Sequence, residues 1–200
     1  MKPRANSVLR LALAFSLVAT QAFASVLDGY KLREIPNTKI SIVVPEEMPE
    51  PEKLELDDSD KELFPSGLNY FFPGESEGMF SMLTVLKSSS SMEEDFLKTF
   101  AESYLEARAD DKEIKYVIKT REAGTFGAFR GQAFTATLET SDIKMEEQGL
   151  VLIGDHEVLV YLVSADVADK TAVTEKNKAF DDLRYAGSAW AKGKEIEIKK

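Results

Sequence analysis

The chain has 200 residues, no cysteine and a single histidine, and its 35 acidic against 25 basic side chains give a formal net charge of −10. Without cysteine the protein has no disulfides and no attachment point for the lipid of a bacterial lipoprotein. The excess of acidic side chains repels phosphate groups, which argues against nucleic acid or an anionic membrane surface as a partner.

The first 24 residues have the pattern of a cleavable secretory signal. Three basic side chains in the first ten residues precede an apolar run, residues 11–19, that is too short for a bilayer core of roughly 30 Å. Ala22 and Ala24 are small residues at the positions that a signal peptidase reads. We therefore predict cleavage after Ala24, a periplasmic or secreted mature protein, and no membrane span in the rest of the chain.

The mature chain is predicted to form one domain over residues 25–190. Residues 39–45 are β-branched and end at Pro45, which favours a strand. Residues 45–66 then combine four prolines with a strong excess of acidic side chains, which predicts a long acidic surface loop with few buried contacts. We expect one short helical turn near Leu54 and Leu56, and the charge of this loop leaves weak cation binding open as a hypothesis.

A hairpin and a helix are predicted next. Residues 68–72 and 79–87 have strand composition and are separated by Pro73-Gly74, which suits a chain reversal. Residues 92–109 show an apolar stripe of helical period, and the Ser91 to Glu94 spacing is typical of a capping box at a helix start.

Strands dominate the second half of the chain. Residues 113–122, 128–140 and 143–153 alternate apolar and polar side chains, and residues 158–163 follow a tight-turn sequence at 154–157. Glycines at 124, 127 and 131 are interpreted as turns or bulges. A second helix is predicted over about residues 169–183, and residues 191–200 read as a frayed basic tail. The predicted fold class is α+β, an antiparallel sheet with helices packed against it.

The order of these elements resembles the Mog1/PsbP-like α/β/α sandwich superfamily. The features that carry the resemblance are the strand ending Val43-Val44-Pro45, the helix led by Phe96 and Phe100, and the hairpin over residues 150–163 followed by a closing helix. The resemblance covers nearly all of the mature chain. It implies an accessory or binding module, since the superfamily includes a partner of a small GTPase, an extrinsic photosystem II subunit and bacterial envelope proteins. No functional residue carries over, because no shared motif can be placed on this chain.

The sequence contains no convincing catalytic, cofactor or metal motif. His156-Glu157 begins a zinc-protease pattern, but the second histidine is replaced by Val160. Ser141 and Lys144 have the spacing of a serine nucleophile and its lysine base, but they lie between two predicted strands and not on a helix. The acidic residues from position 58 alternate like calcium ligands, but lack the glycine and the final glutamate of such a loop. We therefore predict no catalytic residue, no cofactor and no metal ligand.

Aromatic side chains offer the best candidate for a functional site. In Tyr70-Phe71-Phe72, consecutive strand residues face opposite sides of a sheet, so at least one is expected to point away from a one-sided core. These three residues are the predicted partner-binding site of an exported, non-catalytic accessory or protein-binding module of the bacterial envelope. The alternative is a hydrolase that uses carboxylates remote from one another in sequence.

Overall fold

The computed structural model describes residues 30–35, 38–45, 50–110, 114–185 and 188–198. The predicted signal, residues 1–24, lies outside the described residues. The helices are α1 (Asp58–Leu63), α2 (Glu94–Ala109) and α3 (Lys170–Asp182). The strands are β1 (Tyr30–Glu34), β2 (Ile40–Pro45), β3 (Glu52–Lys53), β4 (Ser66–Pro73), β5 (Met79–Lys87), β6 (Lys115–Phe126), β7 (Phe129–Glu139), β8 (Lys144–Ile153), β9 (Glu157–Asp166), β10 (Arg184–Tyr185) and β11 (Trp190–Glu195).

Eight strands form one antiparallel sheet in the order β11-β6-β7-β8-β9-β5-β4-β3, and a second, three-stranded sheet has the order β1-β2-β10. The predicted β4–β5 and β8–β9 hairpins pair as expected. The chain therefore has the α+β class that the element order predicted.

The centre of the large sheet is buried on both faces. On β9, Val158, Val160 and Leu162 belong to one apolar core, whereas Leu159 and Tyr161 belong to another. Because successive strand residues point to opposite faces, a strand covered on both sides has a continuous apolar sequence, as residues 158–163 do. Two layers must therefore cover this sheet.

Each core is closed by different elements. Helix α2 packs against β6, β7 and β8 on one face, which we call the α2 face. Helix α3 packs against β5, β8 and β9 on the opposite face, the α3 face, where it also contacts β2 of the small sheet. The result is a sandwich in which the sheet is the middle layer.

The segment predicted as an acidic loop differs from the prediction. It contains β3 and α1, and the helix begins after Asp57, whose side chain accepts a hydrogen bond from the Asp60 backbone N–H at 2.9 Å. Leu56 and Phe64 are buried in the α2-face core. Most of the charged residues of this segment whose burial is described are exposed, but Asp60 is buried, and Leu56 and Phe64 anchor the segment.

The end of the chain also differs from the prediction. Residues 190–195 form β11, which pairs with β6, so this part of the predicted tail is an edge strand.

Gly124 and Gly131 lie opposite each other in β6 and β7 and form no turn. A Cβ atom at Gly124 would lie 2.6 Å from the ring of Trp190, so the glycine makes room for that ring. Gly127 has φ 61° in the β6–β7 turn, as predicted.

The start of α2 corrects one local prediction. The N-cap is Glu93, and it forms no side-chain capping hydrogen bond, so Ser91 is not the cap of this helix.

No helix among the described residues is long and apolar enough to cross a membrane.

Candidate binding surface

The structure separates the three aromatic residues that were predicted to form a binding site. Tyr70 and Phe72 are 2% and 1% exposed and belong to the α3-face core. Their rings are parallel, with centroids 6.2 Å apart. Both side chains therefore contribute to packing, because a partner could not reach them without opening the domain.

Phe71 points to the α2 face and is half-buried. Its ring stacks on that of Phe80, with centroids 5.4 Å apart and an angle of 27° between the ring planes. Strand register explains the contact, because Phe71 is opposite Met82 and Phe80 is two residues before Met82 on β5. We call Phe71 and Phe80 the aromatic pair.

The position of α2 explains why the aromatic pair keeps part of its surface exposed. Helix α2 packs across β6, β7 and β8, whereas the pair lies on β4 and β5, toward the other end of the sheet. Most large apolar side chains of the described residues are buried. A half-buried stacked aromatic pair has the chemistry of a contact surface, since aromatic side chains supply large apolar area at low entropic cost.

The turn next to the aromatic pair is held by α3. The Glu175 carboxylate accepts hydrogen bonds from the backbone N–H groups of Glu75 and Ser76, at 2.5 and 2.9 Å. At the other side of the turn, the Asp166 N–H donates to the Gly78 carbonyl at 2.8 Å. These bonds connect the β4–β5 turn to both α3 and β9, so the end of the hairpin has a defined position.

A cleft of about 170 Å³ lies between this turn and α3. Its polar side chains include three carboxylates and one lysine, but Glu175 is occupied by the turn and Asp182 receives a hydrogen bond from Lys178. Two of the three carboxylates in this cleft, those of Glu175 and Asp182, therefore have structural partners. Its lining residues are Pro73, Gly74, Glu75, Met79, Ser81, Glu175, Lys178, Ala179 and Asp182.

The strongest cluster of ionisable groups is buried under α2. Glu147 on β8 accepts hydrogen bonds from Arg108 Nη2 at 3.0 and 2.7 Å, from the Tyr116 hydroxyl at 2.5 Å and from the Ser164 hydroxyl at 3.1 Å. One carboxylate thus joins α2 to β6, β8 and β9. The Arg108 guanidinium also lies over the Tyr116 ring, 4.7 Å from its centroid.

Burial controls the protonation of this cluster. Burial, aided by the Glu147 charge and opposed by Arg108, raises the pKa of Tyr104 to about 12. Burial and the Glu147 charge raise the pKa of Tyr116 well above its usual value. Perturbed groups often mark active sites, but Arg108 and Glu147 are 1% and 3% exposed and no substrate can reach them. The cluster is therefore structural.

The sequence analysis also considered His156, Ser141 and Lys144 as chemical groups, and they belong neither to the aromatic pair nor to the buried cluster. His156 is exposed in the β8–β9 turn, where its carbonyl accepts the Ser88 N–H at 2.8 Å. Ser141 and Lys144 are exposed at the β7–β8 connection. Within the described ranges, no three acidic or histidine side chains are arranged to hold a metal ion.

No family model and no curated protein matches the chain. Several solved structures resemble it, and three of them are described here. Cyanobacterial PsbP (CyanoP) from Synechocystis has a TM-score of 0.49 at 6% identity, over 82% of this chain and 97% of that one. PA94, a protein of unknown function and putative regulator from Pseudomonas aeruginosa, has a TM-score of 0.42 at 9% identity, and the match covers 76% of this chain and 92% of that one. LpqN, involved in cell envelope biogenesis of Mycobacterium tuberculosis, has a TM-score of 0.39 at 12% identity, and the match covers 78% of this chain and 88% of that one.

These likenesses concern the fold and carry no residue or activity over to this chain. The predicted binding site, Tyr70 to Phe72, did not include Phe80 or Glu175. Phe80 could have been found from the predicted hairpin, because a turn near Pro73-Gly74 brings residues 71 and 80 close together across two strands. Glu175 could not, since its contact with the turn joins residues 100 positions apart.

Proposed function

We propose that this protein is an exported, non-catalytic accessory module that binds another protein of the bacterial envelope through the aromatic pair. The observation that supports this proposal is the half-buried stack of Phe71 on Phe80 beside a turn that α3 and β9 hold in place. A surface that is ordered before binding loses less conformational entropy when a partner docks. The proposed signal in residues 1–24 would deliver the module to the periplasm or the medium.

Charge indicates the chemistry of the partner. Glu75 and Glu77 are exposed in the turn next to the aromatic pair, and the whole chain carries a net charge of −10. We therefore expect a partner segment with an apolar anchor that packs on the rings and with lysine or arginine beside it. Long-range attraction between such charges weakens as salt is added.

Site-directed photocrosslinking in the bacterium that makes the protein tests the proposal. A photoreactive residue at position 71 should capture a defined neighbour, whereas one at Val117, which is 36% exposed, should not. The capture from position 71 should be lost with Phe80→Ser. It should also become weaker as salt is added.

Folding of each variant is checked by circular dichroism and urea unfolding. Equal capture from positions 71 and 117, or capture that Phe80→Ser leaves unchanged in a folded protein, would contradict the proposal. Turnover in a broad hydrolase screen that one carboxylate substitution abolishes, with the fold retained, would support the hydrolase alternative instead.

A further inference from the structure

The buried Arg108 side chain uses only part of its hydrogen-bonding capacity. Its Nη2 atom donates to both oxygens of Glu147, but Nε and Nη1 have no protein hydrogen-bond partner. The Tyr104 hydroxyl, also buried, has none either. Buried polar groups are satisfied in the great majority of folded proteins, and a charged group left without partners is especially unfavourable.

The charges around this position decide which ligand can satisfy these groups. Arg108 and Glu147 already neutralise each other, and Glu147 receives further hydrogen bonds from Tyr116 and Ser164. An added anion would leave a buried net negative charge. An added cation would be repelled by the N–H groups, and an apolar ligand would leave them without partners. A neutral molecule that both accepts and donates hydrogen bonds is required.

We propose that ordered water is bound at Arg108 Nε and Nη1 and connects the guanidinium to the Tyr104 hydroxyl. The centroid of the Tyr104 ring lies 5.9 Å from Arg108 Cζ, compared with 4.7 Å for that of Tyr116. Buried waters of this kind make about three hydrogen bonds to groups that are otherwise unsatisfied. The contact of α2 with the sheet therefore includes water as a structural component.

The sign of one stability change tests the water site. If water connects Tyr104 to Arg108, then Tyr104→Phe removes a made hydrogen bond, and the equilibrium constant for unfolding should rise about fivefold. If the Tyr104 hydroxyl has no partner at all, the same change removes an unsatisfied group, so stability should stay the same or increase. Tyr116→Phe is the matched control, since its hydroxyl bonds directly to Glu147 and its loss should destabilise the domain in either case.

A crystal structure of the full chain locates the ligand directly. Density at hydrogen-bond distance, about 2.7–3.2 Å, from both Arg108 and the Tyr104 hydroxyl is expected. Crystals grown in bromide instead of chloride distinguish water from an anion. Anomalous scattering at this position would overturn the assignment in favour of a halide, and an unoccupied position, or a Tyr104→Phe variant at least as stable as the parent, would also overturn it.

Discussion

Glu146 and Glu147 are adjacent on β8, yet their carboxylates leave the sheet on opposite faces and each pairs with a different helix. Glu147 contacts Arg108 of α2 at 2.7 Å, and Glu146 contacts Lys176 of α3 at 3.3 Å. Successive side chains of a β-strand point to opposite faces of the sheet, which explains this arrangement. Two consecutive residues of the central sheet therefore connect both outer layers of the sandwich to its middle layer.

The two glutamates should differ strongly in their contribution to stability. Glu147→Gln weakens four hydrogen bonds in a site that is 3% exposed and leaves Arg108 charged, so we expect a loss of about 3 kcal/mol or more. The Glu146 side chain is 45% exposed, and Glu146→Gln should cost about 1 kcal/mol. Urea unfolding of the two variants measures the difference. Equal losses would show that the Arg108–Glu147 pair contributes no more than the Lys176–Glu146 pair, whose carboxylate is partly exposed.

The buried tyrosines predict a loss of stability at alkaline pH. The pKa of Tyr104 rises from 10 in the unfolded chain to about 12 in the folded protein, mainly through burial. Folding thus favours the neutral phenol. The resulting stability is fully present below pH 10 and is lost as the pH rises from 10 toward 12. Tyrosinate absorbance and circular dichroism, recorded together, should change in the same pH range. Complete tyrosine ionisation in a still folded protein would contradict this prediction.

Phe64 should be essential to the segment once predicted as a loop. Its ring contacts those of Phe96 and Phe100 on α2, with centroid distances of 6.2 and 6.1 Å. Phe64→Ala should cost about 3–5 kcal/mol because it leaves a cavity beneath α2. The neighbouring Glu62→Ala, at an exposed position, should change stability by less than about 0.5 kcal/mol. Thermal unfolding of both variants is the measurement, and a small loss in the Phe64 variant would show that the segment is only loosely packed.

Removal of the Glu175 carboxylate should release the β4–β5 turn. Glu175→Ala eliminates two charge-assisted hydrogen bonds to the amides of Glu75 and Ser76, so these amides should exchange with solvent roughly tenfold faster. Lys178→Ala is the control, because Lys178 lines the same cleft but pairs with Asp182. Hydrogen exchange followed by NMR reports on each amide. Unchanged exchange in the Glu175 variant would mean that the turn is ordered without α3.

The predicted signal can be tested on the protein from its own cells. The intact mass should correspond to a chain that begins at Ser25, because Ala22 and Ala24 follow an apolar run of signal length. Substitution of Ala24 by a bulky residue should block this processing. An uncleaved chain beginning at Met1 as the main species would remove the basis for the proposed export.

Local patterns in the sequence determined most of the secondary structure. The apolar period of α2 and the alternation in β6 to β8 depend on which side chains must face a core, and this requirement is written residue by residue along the chain. The turn residues Gly127 and Gly154 could likewise be recognised, since tight reversals need small or permissive residues. The α+β class followed from the order of these elements.

Contacts between remote residues were decided by the tertiary structure alone. Tyr70, Phe71 and Phe72 look equivalent in the sequence, but two of them are buried because α3 and the small sheet cover their face. The third is only half-buried because α2 packs against other strands of the sheet. The burial of Arg108 against Glu147 likewise joins residues 39 positions apart. Composition reports how many charged and apolar groups a chain has, but their burial depends on which elements pack together.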